Sequence, residues 1–409
     1  YLIFISIINN KFFAAISTSL YLLYPYLLGH SFFNPKDIPF LSIWVICSYV
    51  SLNIFDKLLE GKNLTYLNIL LLSFFTGYLL SIRISGVLIF IQYFITLLIY
   101  LNLNKKNILF SLKDILKKII FFILTFILFT YLLYPIFWKE PLLIITTISY
   151  MSNYFNDVCT LTLGKCMEAK NLDPTYIPIW LMVKLPLIVL TGLLLLPFSE
   201  NKIFVNKKKI IFFGTLLATS FLIPIILIIK KIHLYDELRQ ILFLVPLIFI
   251  TGIISIYVFS KKIFYFLSIV TLCLFIIENI KIYPYQYVWF NSPSRVLDIS
   301  SNFELDYWGL SGKELAKQVT ILQKKEKTKP CVLVSPVWTA KHFLDSRIFN
   351  CYGDWAEIDS SFPRPFWGIQ NVRNLKKGDV YKCKSIYQSK FNLIFVKEDF
   401  VTGRLIKCI

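Results

Sequence analysis

Acidic residues are scarce in this chain. Its 409 residues carry 24 Asp and Glu against 43 Lys and Arg, with only 3 His and 3 Met. The last third contains no zinc-ligand spacing, no phosphate-binding glycine loop and no Gly-x-Ser-x-Gly elbow, so those chemistries have no carrier there. No repeat recurs at a fixed period over 1–280, which removes solenoid and array architectures. Charge is also nearly missing from the middle of every long apolar run.

Those runs dominate. The chain is 56% hydrophobic, far from a soluble globular composition. A helix needs about 20 apolar residues to cross the hydrocarbon core. Full spans are predicted near 12–28, 38–55, 64–82, 86–103, 119–137, 176–198, 210–230, 240–260 and 263–280, with a truncated one at 1–9. The fold class expected is therefore mainly α: a polytopic transmembrane helical bundle of about nine full spans. The formal charge of +19 suggests nucleic acid until the lysines are placed. Lys11, Lys57 and Lys62, then Lys105, Lys106, Lys113, Lys117 and Lys118, then Lys202 and Lys207 to Lys209, then Lys261 and Lys262, fall in alternate short loops. That is the positive-inside pattern, and it orients all the spans without contradiction. Lysines facing anionic lipid account for the excess, and no nucleic acid is expected as a partner.

In that orientation the outward face carries 29–37, the loop 138–175, the loop 231–239 and everything after about residue 281. Cys159, Cys166, Cys331, Cys351, Cys383 and Cys408 all fall on this side. An even number fits an oxidising compartment; the four C-terminal cysteines allow more than one pairing, and unpaired thiols are the alternative. The chain opens at Tyr1 with a half-length apolar segment, without methionine or signal sequence. It reads as a fragment lacking its first spans.

Two domains are expected, a membrane domain at 1–280 and an outward-facing α/β domain at 281–409. Within the second, 312–325 reads as a helix, Cys331 to Ser335 and Asn392 to Lys397 as short buried strands, and 351–381 as turn-rich and aromatic. The loop 138–175 has an apolar stretch at 142–151 suited to an interface. A loop this long serves either as a lid over substrate or as a structural cap.

Three polar clusters could carry chemistry. The run Gly29-His30-Ser31-Phe32-Phe33-Asn34-Pro35-Lys36-Asp37-Ile38-Pro39 lies between two apolar runs, where unpaired ionisable groups are costly and mark sites. Asp37 suits a sugar hydroxyl, a metal ion or a cation-bridged donor; it equally suits an N-cap, with proline in the first turn. Lys36 and His30 suit phosphate oxygens. Arg83 ends a span and either snorkels to headgroups or binds an anion. The run Lys230 to Gln240 packs ionisable side chains into one outward loop, read as a site or as a solvated hairpin. Arg239 offers a phosphate a planar fork of donors, with Asp236 to hold it.

The 29–39 run, Ile82-Arg83-Ile84-Ser85-Gly86, Tyr176-Ile177-Pro178-Ile179-Trp180-Leu181-Met182-Val183-Lys184-Leu185-Pro186, Tyr235-Asp236-Glu237-Leu238-Arg239-Gln240 and Asp306-Tyr307-Trp308-Gly309-Leu310-Ser311 occur in an order that resembles bacterial polytopic glycosyltransferases of the GT-C superfamily. The chain is similar to the protein O-mannosyltransferase and lipid A aminoarabinose transferase group over nearly all of 12–315. The resemblance implies a GT-C-type bundle in the inner membrane. It further implies sugar transfer from a polyprenyl-phosphate donor to a glycan, lipid or protein acceptor at the outer face. By position it makes Asp37 the second acidic site of the family, and the catalytic residue among those present. The main catalytic acid is expected in a preceding loop, so the fragment itself should be inactive. His30, Asn34, Lys36, Arg83, Lys184, Asp236 and Arg239 are the substrate-binding candidates. Lys184 lies in the family's Val-Lys-x-Pro segment and reads as a phosphate contact or a packing residue. No metal ligands are assigned; metal dependence varies among the members, which leaves a divalent metal ion open as the cofactor. The rivals are a transporter or flippase for lipid-linked sugars, expected to show internal repeats and midplane polar residues, and a polysaccharide polymerase or ligase.

Overall fold

A computed structural model describes residues 1–104, 108–143, 146–147, 150, 158–326, 329, 331–335, 339–340, 342–344, 351–354, 365–371 and 383–408. Lys105 and Lys106, much of the apolar stretch at 142–151 and most of 351–381 lie outside them, as do the side chains of Lys113 and Cys351. The chain divides into two compact units. The first comprises Tyr1–Cys159 with Met167–Ile276, the second Thr160–Cys166 with Ile277–Ile409.

The first unit is helical: α1 (Leu2–Ile8), α2 (Lys11–Leu23), α3 (Pro25–Phe33), α4 (Asp37–Leu59), α5 (Tyr66–Ile82), α6 (Ile89–Leu103), α7 (Ile108–Leu133), α8 (Tyr176–Lys184), α9 (Leu187–Leu194), α10 (Thr215–Ile229), α11 (Val245–Phe259) and α12 (Lys261–Lys281), whose last turn enters the second unit. Among the described residues, six helical stretches are long and apolar enough to cross a membrane: Asp37–Leu59, Ile84–Leu103, Leu116–Leu133, Lys207–Ile229, Arg239–Phe259 and Lys261–Lys281. Two further segments expected as single spans are broken helices. α2 and α3 meet at 57°, and α8 and α9 at 118°. Proline explains both breaks. Pro25 has no N–H to continue the ladder of α2, and Leu185, before Pro186, is extended because the ring disfavours helical geometry in the preceding residue. The remaining segment, α5, is a shorter apolar helix. Among the described residues the long apolar spans thus number six, or up to eight with each bent pair taken as one.

Burial separates centre from edge. In Arg239–Phe259, 94% of the most apolar 18-residue window is buried, and in Leu116–Leu133 only 6%, so α11 is the axis of the bundle and α7 an outer helix. α9 crosses α11 with almost no spacing: a Cβ on Gly192 would fall 1.9 Å from the carbonyl oxygen of Gly252. Small residues at such a crossing replace side-chain interdigitation with backbone contact. α4 is tied to α6 by Trp44 Nε1 and Ser48 Oγ, which both donate to Gln92 Oε1 (3.1 and 3.2 Å).

After the short hairpin strands β1 (Cys159–Thr162) and β2 (Lys165–Glu168), the second unit holds a mixed five-stranded sheet of β3 (Cys331–Ser335), β4 (Cys351–Asp354), β5 (Phe366–Asn371), β6 (Lys384–Phe391) and β7 (Phe400–Cys408), in the order β4-β3-β5-β7-β6. β3 runs parallel to β4 and β5; β7 is antiparallel to β5 and β6. The helix α13 (Ser311–Glu326) lays Leu315, Ala316 and Val319 on Val332, Val334, Trp367, Ile369 and Leu405. Cys331, Leu333, Phe366 and Ile406 form a second cluster, because alternate residues of a strand face opposite ways. Cys383 and Cys408 are disulfide-bonded to each other, and Cys159, Cys166 and Cys331 are also in disulfides.

The strand expected at Asn392 to Lys397 is absent; that stretch is the connection between β6 and β7. Leu393 is indeed wholly buried. Its carbonyl and that of Ile394, however, accept from Lys281 Nζ (3.5 Å) and Arg295 Nη1 (2.9 Å) rather than from a neighbouring strand. Within the loop 138–175, Cys159–Thr162 and Lys165–Glu168 form a hairpin. Its tip belongs to the second unit, where Leu161 exchanges hydrogen bonds with Glu304, and Gly164 N–H donates to Asn302.

Candidate functional site

Asp37 is the centre of a bonded cluster in the first unit. It opens α4 as a helical residue, with Lys36 in the cap position, so it is not itself the N-cap. The capping acceptor is Asn34, whose Oδ1 takes the N–H of Asp37 at 2.8 Å and that of Lys36 at 3.4 Å. This satisfies donors that a helix start leaves open. The carboxylate is then left for other partners. Its Oδ1 accepts from Arg83 Nη1, and its Oδ2 from Arg239 Nε (3.0 Å) and Asn34 Nδ2 (2.8 Å).

Each arginine is delivered by a helix end. α5 stops at Ile82, and Arg83 is extended (φ −149°, ψ 137°). Its side chain is thus released from the helical direction. The chain then folds back on α5 so closely that a Cβ on Gly86 would lie 3.0 Å from Leu80 backbone. Arg83 also donates to Gln240, and its guanidinium stands 5.7 Å from the Phe40 ring centroid. Arg239 begins the apolar stretch leading into α11 and donates Nη1 to Asp236 Oδ2 at 3.0 Å. The Asp37 side chain is 2% exposed, Arg83 15% and Arg239 21%. The carboxylate is buried and the two cations are reachable.

Of the residues singled out in the sequence, His30, Asn34, Asp37, Arg83, Asp236 and Arg239 come together here. His30 is wholly buried, edge-on to Tyr26 at 4.8 Å, with Nδ1 3.3 Å from Asn34 Nδ2. It thereby orients the amide that holds Asp37. Lys36 is exposed and makes no side-chain bond in this cluster among the described residues. Arg83 is bonded to Asp37 and Gln240, so it does more than snorkel. Asp236 and Glu237 are buried, which excludes a solvated hairpin at that point of the loop.

Lys184 has a different environment. Its Nζ pairs with Glu237 Oε2 at 3.0 Å, both side chains fully buried, and it lies over the rings of Tyr26 (5.0 Å) and Trp180 (5.4 Å). Two further participants, Gln240 and Glu237, sit inside the Tyr235 to Gln240 run and are not among the candidates the sequence offers. Nothing in a linear sequence pairs Glu237 with a lysine 53 positions away.

Chemically, two guanidiniums fixed on a common carboxylate form a fork suited to a phosphate or carboxylate ligand. Asp37 already accepts three hydrogen bonds, against about four acceptor positions on a carboxylate. Its geometry is that of a group that aligns cations. Among the described residues, no group of three or more His, Cys, Asp or Glu side chains is placed to hold a metal ion.

The opposite end of α4 has another character. Near it, Asp56 pairs with Lys208 at 2.7 Å, roughly 30 Å from Asp37 at the helical rise. The arginine cluster and this lysine contact therefore mark opposite ends of the helix.

No protein-family model, curated protein or solved structure matches this chain.

Asp306, in the second unit, heads the last of the ordered sequence segments and is wholly buried. Its Oδ1 accepts from Tyr287 OH (2.5 Å) and Leu310 N–H (2.9 Å), its Oδ2 from Ser311 N–H (3.0 Å). It holds the start of α13 and thereby the helix that covers the sheet.

Proposed function

We propose that this chain is a GT-C-type membrane glycosyltransferase. It would transfer a sugar from a polyprenyl-phosphate donor to a glycan, lipid or protein acceptor at the extracytoplasmic face of the inner membrane. The observation that carries the reading is Asp37 holding Arg83 and Arg239 together at helix ends, with both arginines reachable. A lipid-linked sugar presents an anionic phosphate at the end of an apolar tail. A paired-arginine site flanked by apolar helices suits such a ligand, since fixed cations can take up charge as the phosphate departs. The lysine-rich alternate loops support an orientation with the Asp37 end away from the cytoplasm. In this reading the apolar segments at 12–28, 64–82 and 176–198 complete nine crossings, two of them broken. Asp37 sets the arginines; Asn34 and His30 set Asp37; Asp236 sets Arg239. Lys36, exposed beside them, adds positive charge at the approach.

A second reading, a carrier for lipid-linked sugars, is favoured by one observation. The bundle contains two broken helices and a fully buried Lys184–Glu237 pair, and broken helices line the sites of many transporters.

The deciding experiment uses membranes containing the complete gene product and a radiolabelled polyprenyl-phosphate sugar. Transfer of label to an acceptor, with loss in Arg239→Ala and Arg83→Ala, is expected. Movement of the labelled lipid between leaflets without transfer would replace the transferase by the carrier.

A further inference from the structure

Two helix breaks are fastened together at Lys184. Tyr24, at the break between α2 and α3, donates its hydroxyl to the backbone carbonyl of Lys184, at the break between α8 and α9. The Lys184 ammonium in turn holds Glu237 from across the bundle. Glu237 is held a second time through its backbone, where its carbonyl accepts from Tyr176 OH at 3.1 Å.

The segment so held is strained. Asp236 and Glu237 are consecutive non-glycine residues at φ 58° and 63°, in the left-handed region that L side chains disfavour. Such a conformation persists only where its surroundings enforce it. Here the strained pair leads directly into Arg239, and Asp236 is the residue that bonds Arg239. Were the turn to relax, Asp236 and Arg239 would be re-aimed together, and Arg239 would leave Asp37.

We propose that the Lys184–Glu237 ion pair is a positioning device for the anion site: it holds the strained Asp236–Glu237 turn so that Arg239 and Arg83 converge on one phosphate headgroup. This rests on the reading of the two arginines as a phosphate site. Lys184 itself does not touch the phosphate. Its ammonium faces a buried carboxylate and two aromatic rings, and it acts through the turn.

The test separates positioning from stability. Affinity for a polyprenyl phosphate is measured on the complete protein in nanodiscs, beside the thermal midpoint. The variants are Lys184→Met, Glu237→Gln, the double replacement Lys184→Met with Glu237→Met, Glu237→Asp and Arg239→Ala. Each single neutralisation leaves an uncompensated buried charge and should lower the midpoint. The double replacement removes both charges and should recover it, as apolar substitutes for buried pairs do. Affinity should nevertheless stay about tenfold or more below wild type, because the turn is no longer held in place. Glu237→Asp keeps both charges but shortens the reach by one methylene. It should weaken binding while leaving the midpoint near wild type, which keeps the test open if the double variant fails to fold. Wild-type affinity in the folded double variant or in Glu237→Asp would overturn the positioning role. Wild-type affinity in Arg239→Ala would instead overturn the phosphate reading, and the proposal with it.

Discussion

Arg239 reaches across 202 positions of sequence to place its Nε 3.0 Å from Oδ2 of Asp37. Arg83 takes the other oxygen of the same carboxylate. One acid therefore joins the starts of two helical stretches, Asp37–Leu59 and Arg239–Phe259, to the end of α5.

Removal of that acid should be felt as repulsion. Asp37→Ala leaves two guanidiniums without their common anion, and a loss on the order of 2–4 kcal/mol is expected, reduced from the fully buried case because both cations keep some exposure. Asp37→Asn, which still accepts hydrogen bonds, should lose less. Thermal unfolding in detergent micelles reads both; an unchanged midpoint in Asp37→Ala would show that the bridge does not stabilise the bundle.

The crossing of α9 and α11 leaves no room for a side chain. Gly192→Ala and Gly252→Ala should each destabilise the bundle by about 1–3 kcal/mol through forced separation of the helices. Gly214 is the internal control. A Cβ there meets only ordinary contacts, the nearest at 3.6 Å, and Gly214→Ala should fall within about 1 kcal/mol of neutral. Equal effects at all three sites would contradict the close approach.

Burial pushes the Asp306 carboxyl up to about 6, against the opposing hydrogen bonds from Tyr287, Ser311 and Leu310. A carboxyl raised in the folded state contributes most when it is protonated. Its contribution is complete below about pH 4, where the unfolded chain is protonated too. It is lost as pH rises through about 6. Asp306→Asn should therefore cost more stability at acid than at neutral pH, by on the order of 2–3 kcal/mol in the difference. Denaturant unfolding of both proteins across that window reads the gap. A penalty independent of pH would mean that the carboxyl does not titrate there.

In the second unit Arg295 Nη2 lies 2.5 Å from Glu278 Oε1, with side chains 2% and 4% exposed. Arg295→Met should cost about 3–5 kcal/mol by stranding the carboxylate, and adding Glu278→Leu should recover part of it. The recovery should be incomplete, because Trp289 Nε1 also donates to Glu278. A double variant no more stable than Arg295→Met would argue against a stranded charge as the cause.

Much of the helical framework was legible because a bilayer-length apolar run has few other uses. The runs at 38–55 and 263–280 are found within Asp37–Leu59 and Lys261–Lys281, and the run at 240–260 overruns Arg239–Phe259 by one residue. Breaks at Pro25 and Pro186 were readable in principle, since proline is a local constraint, yet an unbroken hydropathy masked them. The run at Asn392 to Lys397 shows the opposite limit. Its apolar residues announced burial, but the partners of its carbonyls, Lys281 and Arg295, lie about a hundred positions away, and those partners decide between strand and turn.

Composition and spacing alone determined that this chain is rich in bilayer-length helices, that its lysines alternate between loops and that its polar residues gather in a few clusters. These are local properties, set by the transfer free energy of short windows of sequence. Only the tertiary structure decided that Asp37 belongs to Arg83 and Arg239 together and that Lys184 belongs to Glu237. Ion pairing depends on distance in space, and helices of this length bring together residues whose separation along the chain carries no information about that distance.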